Sequence, residues 1–378
     1  MKEIYLDNSA TTVVSESAAK KVYELLVDKY GNPSSLHEKG IEADIEINNA
    51  RKTIASQLGC DDCEVFFTSG GTEANNIALL GGANARKRRG NRIVTTKIEH
   101  SSVLESTKQL ENNGFEVIYL EPDSNGNIKE DDIYNAINEK TILVSTMMVN
   151  NELGNILPIN NIKKIIKEKD APAKFHVDAV QAFGKIPVKP KKIGADVLSI
   201  SAHKVHGPKG VGAIYISKGV KILPLTFGGT QENKIRPGTQ ATSLIAGFGE
   251  AVNNFPNLKD KLREIEELRD YLIHKIQNID CIHINSTKES LPYITNFSIL
   301  GIKSETMLHY LGSMGIYVSS GSACAKGKKS HVLESVFNDK KIIDSAIRVS
   351  FSKHTTKDEI DIFIDAINKG INTLAKSK

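Results

Sequence analysis

Between residues 65 and 217, seven short β-branched or apolar runs alternate with helical stretches. They are Val65-Phe66-Phe67-Thr68, Ile93-Val94-Thr95-Thr96, Val117-Ile118-Tyr119-Leu120, 142–149, Phe175-His176-Val177-Asp178, 197–201 and 212–216. Several are apolar on both faces, the pattern of strands covered by helices on each side. This alternation restricts the chain to an α/β fold built on a doubly covered sheet. After Pro224 the pattern changes. The Gly-rich passage Phe227-Gly228-Gly229-Thr230 precedes a long charged helix around 258–279, and strand-like runs at 294–299 and 347–351 then mix with helices. A smaller α+β domain is expected there, with the boundary near residue 255. The 378 residues, 40% of them hydrophobic, are enough for about two domains. There is no internal repeat and no low-complexity tract.

Composition excludes several classes of function. A net charge of +4 is small for this length, so no direct contact with nucleic acid is expected. The basic runs Arg86-Lys87-Arg88-Arg89 and Lys326-Gly327-Lys328-Lys329 each read as solvated surface, with an acidic partner as the alternative. No stretch has the length and apolarity of a membrane span, and the first residues lack the apolar core of a signal peptide, so a cytoplasmic protein is expected. Cysteines 60, 63, 281 and 324 do not resemble a secreted disulfide framework. Cys60-Asp61-Asp62-Cys63 has the spacing of half a zinc site or a redox pair, but no second pair or nearby histidine supplies the remaining ligands, so it reads as a turn with incidental cysteines and no metal site is expected.

The chemistry gathers at strand ends, where open α/β sheets bind ligands. Lys204 closes the run 196–204 just before Gly207-Pro208-Lys209-Gly210. A partly desolvated lysine near other cations is a nucleophilic amine able to hold an aldehyde as a Schiff base, although a lone lysine there also reads as a surface residue. Thr68-Ser69-Gly70-Gly71-Thr72-Glu73 joins a strand to a helix, and its N–H groups and hydroxyls can cradle a phosphate or simply make a tight connection. Asp178 can pair with a protonated ring nitrogen, or cap Ala179-Val180-Gln181. His100 can stack on a ring and move protons, or be a capping or core histidine. Asn150-Asn151-Glu152-Leu153-Gly154 can present an amide to a ligand, or be an ordinary turn. Ser201 and His203 flank the lysine and offer donors to a phosphate.

Taken together these motifs resemble the cysteine desulfurases of the NifS/IscS type, in the class V aminotransferase group of pyridoxal-phosphate enzymes. The likeness extends over nearly the whole chain and includes Tyr5-Leu6-Asp7-Asn8-Ser9-Ala10-Thr11-Thr12, Gly31-Asn32-Pro33-Ser34-Ser35 and Ser319-Ser320-Gly321-Ser322-Ala323-Cys324. It implies the type I fold of these transferases. A large domain of residues 14–255 would carry a mostly parallel seven-stranded sheet, and residues 1–13 with 256–378 would form a small domain carrying the cysteine loop. It implies pyridoxal 5'-phosphate as cofactor, with Lys204 binding it covalently, Asp178 at the ring nitrogen, His100 over the ring and Gln181 at the ring oxygen. Gly71, Thr72, Ser201 and His203 would hold the phosphate, and Thr239 would reach the phosphate of a partner subunit, making a homodimer. Asn151 and Arg348 would hold the substrate, with Arg348 gripping its carboxylate; the alternative for Arg348 is a surface ion pair.

Cys324 narrows the reaction. It lies in a run of small and charged residues that reads as an exposed loop, and a cysteine beside lysines is a candidate thiolate. The expected activity converts L-cysteine to L-alanine, with Lys204 moving the Cα proton and Cys324 taking the sulfur as a persulfide for a sulfur-acceptor protein. The rivals are a selenocysteine lyase, another class V aminotransferase, or a catalytically silent binding protein of the same fold. The segment after Cys324 is shorter and richer in lysine than in members that serve an iron–sulfur scaffold, and the chain ends soon after the helix-like 360–374. A tRNA-thiolation enzyme is therefore as credible an acceptor as an iron–sulfur scaffold.

Overall fold

The computed structural model describes residues 3–321 and 330–374. Among them, twelve strands form three sheets. The strands are β1 (Ile4–Tyr5), β2 (Val65–Thr68), β3 (Arg92–Thr96), β4 (Glu116–Leu120), β5 (Thr141–Met147) and β6 (Lys174–Asp178), followed by β7 (Val197–Ser201), β8 (Gly212–Ile216), β9 (Ile282–Ile284), β10 (Ile294–Ile299), β11 (Ile316–Tyr317) and β12 (Ala346–Ser350). The central sheet runs β2-β8-β7-β6-β5-β3-β4, and β8 alone is antiparallel to its neighbours. Every residue of β5, β7 and β8 is buried, as strands covered on both faces require. The edge strand β4 is half-exposed and is tied to β3 by the Arg92–Glu116 ion pair. The expected mostly parallel seven-stranded sheet is therefore present.

The remaining strands bring the two chain ends together. β1 pairs in parallel with β11, while β12, β10 and β9 form an antiparallel sheet. One apolar core runs from Leu6 through Phe175 to Phe297 and Phe363. The last long helix, Lys357–Thr373, opens with a capping box in which Thr356 and Glu359 satisfy each other's backbone N–H. Among the described residues no helix is long and apolar enough to cross a membrane, and no group of three or more His, Cys, Asp or Glu is arranged to hold a metal ion.

Several boundaries differ from the sequence reading. The strand before Lys204 stops at Ser201, opposite Gly212, and the chain then curls into a single 3₁₀ turn, Ala202–Lys204. Backbone N–H groups of Val205 and Gly207 both close onto the Ala202 carbonyl, so Lys204 sits on a turn rather than at the strand end. The run 142–149 ends as a strand at Met147, and Val149 bridges to Ile156 instead. In the basic run at 86–89, Arg86 is buried and donates to the Lys221 and Gly82 carbonyls, so it is not solvated surface. The helix carrying it begins at Gly71 and contains one wide π turn, Ile77–Gly81, whose last carbonyl accepts from the Leu223 N–H at 3.1 Å.

Helix Thr242–Asn253 packs against helix Glu38–Leu58 with almost no clearance: a Cβ on Gly249 would lie 2.6 Å from Ala50 Cβ and 2.7 Å from Ala50 Cα. Gly→Ala within an unobstructed helix gains up to ~1 kcal/mol. Here the sign reverses, because the added methyl meets backbone, and Gly249→Ala should lose about 1–3 kcal/mol. The check is the denaturant midpoint, which should fall without a change in slope.

Candidate active site

Parallel strands end at one edge of a sheet, and the pairing registers of β5, β6 and β7 put Met147, Asp178 and Ser199 level with one another. The loops beyond those ends, the Gly71 helix and the N-terminal segment enclose a cavity of about 180 Å³. Its walls include Gly71, Thr72, His100, Asn151, Asp178, Gln181, Ser201, His203, Lys204 and Arg348. Thus ten of the twelve residues singled out from sequence converge on one cavity. Thr239 does not line it; it is exposed in the segment before helix Thr242–Asn253. Cys324 and the lysines at 326, 328 and 329 lie outside the described residues.

Asp178 performs both of the tasks considered for it. Its Oδ1 accepts from the Val180 N–H at 3.0 Å, capping the following turn, and Oδ2 accepts from Asn75 Nδ2 at 2.7 Å. Asn75 donates its second proton to Ser102 Oγ at 2.9 Å. Ser102 Oγ lies 2.8 Å from His100 Nδ1, which also caps the helix Ser101–Asn112 by accepting the Ser102 N–H. Because Nδ1 accepts the Ser102 backbone N–H it carries no proton, so the Ser102 hydroxyl donates to it and the ring proton sits on Nε2.

Lys204 Nζ donates to the carbonyls of Ser9 and Ala10, the latter at 2.8 Å. Beside it, Ser201 Oγ is buried without a partner. A Cβ on Gly71 would lie 2.8 Å from Val180 Cγ2, so glycine keeps the backbone close to this corner. An adjoining open depression is bounded by Thr72, Ser201, His203 and Lys209. These hydroxyls, N–H groups and cations suit an anionic group.

Arg348, on β12, is 1% exposed, so its ion pair is buried rather than superficial. Nη2 meets Asp7 Oδ1 at 2.7 Å and Nη1 donates to the Asn151 carbonyl at 2.9 Å. Its Nε, like Asn151 Oδ1, is buried and unpartnered. That leaves a guanidinium N–H for a ligand carboxylate and an amide oxygen for a ligand donor.

Burial sets the charges around the cavity. Glu99 is pushed up to about 8 by burial, and its Oε1 accepts from Thr96 Oγ1 and the Met147 N–H. His176, between Ser145 Oγ and Ser199 Oγ, is pushed down to about 4 by burial. His203 is pushed down to about 4 by burial first, with Lys204 and Lys209 adding to the effect, and His206 reaches about 4 chiefly by burial.

The sequence reading did not single out Asn75, Ser102, the Ser9 and Ala10 carbonyls, or Lys185, whose Nζ donates to Gln181 Oε1 at 3.0 Å. Asn75 was detectable from its spacing four residues after Gly71 on one helix face. Main-chain carbonyls carry no side-chain signal. The Cys60–Cys63 pair follows a glycine-capped helix end and runs into a 3₁₀ turn, as expected; burial pushes the Cys60 thiol up to about 12.

The family model for class-V aminotransferases matches residues 4–363. The chain belongs to this family. Within it, the chain is 42% identical to a cysteine desulfurase IscS from Dictyoglomus turgidum (strain DSM 6724 / Z-1310), over 99% of this chain and 95% of that one. Among solved structures, a NifS-like protein at 39% identity covers 99% of this chain and 100% of its own, with a TM-score of 0.94. SspA, solved in complex with cysteine, is 32% identical with a TM-score of 0.82, over 94% of this chain and 100% of its own. This class-V aminotransferase is therefore of the cysteine desulfurase type.

The buried imidazoles of this family member predict acid lability. Between pH 6.5 and 4 the unfolded chain binds protons at His176, His203 and His206 that the folded protein does not, so stability falls as pH falls through that window. At about 1.4 kcal/mol per pH unit, His176 alone contributes a loss of about 3 kcal/mol. His176→Gln should flatten the decline of the unfolding midpoint between pH 6.5 and 4; an unaltered profile would exonerate this residue.

Proposed function

We propose that the protein is a pyridoxal-phosphate-dependent cysteine desulfurase that converts L-cysteine to L-alanine and passes the sulfur through a persulfide on Cys324. The observation that carries this reading is the convergence of Lys204, Asp178 and Arg348, from three distant parts of the chain, on one cavity. The residues fit the cofactor: the unpartnered Ser201 Oγ with Gly71, Thr72 and His203 suits a phosphate, Asp178 a protonated ring nitrogen, and Lys204 an aldehyde. Bound pyridoxal phosphate supplies an electron sink that acidifies the Cα–H of an amino acid.

The residues divide the remaining work. Arg348 and Asn151 hold the substrate carboxylate, Arg348 through the Nε–H left unpartnered in the cavity wall and Asn151 through its amide N–H. The Lys204 amine, steered by the Ser9 and Ala10 carbonyls, takes the proton from substrate Cα. His100, anchored through Ser102 and Asn75 to Asp178, would present its Nε2–H to a bound cofactor ring and assist proton transfer. The Cys324 thiolate attacks the substrate sulfur: an S–S bond forms, the Cβ–S bond breaks with its electron pair retained on carbon, and protonation of that carbon yields alanine. The products are alanine and one enzyme persulfide, delivered to an acceptor protein of iron–sulfur assembly or tRNA thiolation.

The working form is proposed to be a cytoplasmic homodimer, in which Thr239 serves the partner's phosphate site. Tyr23, Leu26, Tyr30, Leu36, Ile41, Ile45 and Phe227 are all exposed, apolar side chains of the kind that a second subunit covers. Residues 14–255 are proposed as the cofactor-holding domain, and 1–13 with 256–378 as the smaller one.

The test is release of alanine and sulfide from L-cysteine in the presence of a reductant. Cys324→Ala should abolish it while leaving the visible band of the bound cofactor intact, and full retained activity would reject the persulfide step. Lys204→Ala should abolish turnover and covalent cofactor attachment together. Arg348→Lys should raise KM for cysteine by about tenfold or more through loss of one charge-assisted hydrogen bond. Light-scattering mass should be twice that of the chain; a monomer would reject the dimer.

A further inference from the structure

Lys185 is a fully buried lysine with no task in the chemistry above. It is 6% exposed, and its polar partner among the described residues is Gln181 Oε1, at 3.0 Å. The ring of Tyr293 lies 5.8 Å from its Nζ. The other charged or titratable groups facing it are Lys204 and Arg348, with His203, His206 and Lys353 nearby, and no carboxylate stands among these neighbours in the described residues. A cation left in the interior this way is costly, which argues that its position has a use.

An ammonium only donates, whereas an amide has one accepting and one donating end. By occupying Oε1, Lys185 fixes which way the Gln181 amide faces. Nε2 is then turned to the Ser9 carbonyl, 3.0 Å away, which also accepts from Lys204, and its second proton remains for the cavity that Gln181 lines. Resting on the functional reading above, we infer that Lys185 is a positioning residue that locks Gln181 as a hydrogen-bond donor toward the ring oxygen of the cofactor. Burial and the like charges of Lys204 and Arg348 push Lys185 down to about 7, so the lock weakens as the amine loses its proton. A neutral amine can accept, and the amide is then free to reverse.

The test compares the bound cofactor's visible absorption between pH 6 and 10 in wild-type holoenzyme, Lys185→Met and Gln181→Glu. Lys185→Met removes a buried charge for an apolar side chain of similar length, a change that proteins usually fold through. Its spectral titration midpoint should shift by about one pH unit, with kcat reduced several-fold at little change in KM. Gln181→Glu deletes the donor directly and should shift the midpoint in the same direction. Lys185→Met spectra superimposable on wild type, while Gln181→Glu shifts, would overturn the inference and leave the functional reading intact. A wild-type protein that gains no visible band with added pyridoxal phosphate would take down both.

Discussion

The buried pair between Arg348 and Asp7 is the contact on which the site depends. A guanidinium at 1% exposure is costly without a counter-charge, and Asp7, itself partly buried, supplies one 2.7 Å away. The N-terminal segment is therefore drawn across β12, where Asn8 Nδ2 donates to the Ser350 carbonyl and the Ser9 N–H to Ser350 Oγ. Once there, the Ser9 and Ala10 carbonyls meet Lys204, and the Thr12 N–H and hydroxyl close on the His203 carbonyl. One ion pair spanning 341 positions thus encloses the cavity and orients its central amine.

The cavity is also notable for the groups that remain uncharged. Glu99 and His176 are neutralised by burial and held by hydroxyls, so these interior groups add no charge at neutral pH. Lys204 and Lys209 contribute to suppressing protonation of His203, an influence that a bound anion would oppose. The pocket therefore favours ligands that bring negative charge at two places, one beside Ser201 and His203 and one beside Arg348.

Much of this was visible in the sequence. Strands buried on both faces announce themselves as continuous apolar runs, so the central sheet could be read almost residue by residue. The site residues were readable because they follow those strands. For Asp178 and His100 the alternatives considered were not exclusive, since each caps a turn or helix with one atom and faces the cavity as well. The burial of Arg348 was not readable, because its partner lies at the opposite end of the chain. Nor was the turn at Lys204, which follows from two backbone N–H groups sharing one carbonyl.

The π turn at Ile77–Gly81 has a consequence for the chain's history. Each residue of an α-helix advances the face by about 100°. Removing one residue from this wide turn would rotate Gly71–Asn76 against Gly82–Arg86, swinging Asn75 away from Asp178 while Arg86 stayed on Lys221, or the reverse. The helix can exchange side chains at many positions, but its length is a gauge between two docking points. Descendants of this sequence should vary here by substitution and never by a single-residue gap.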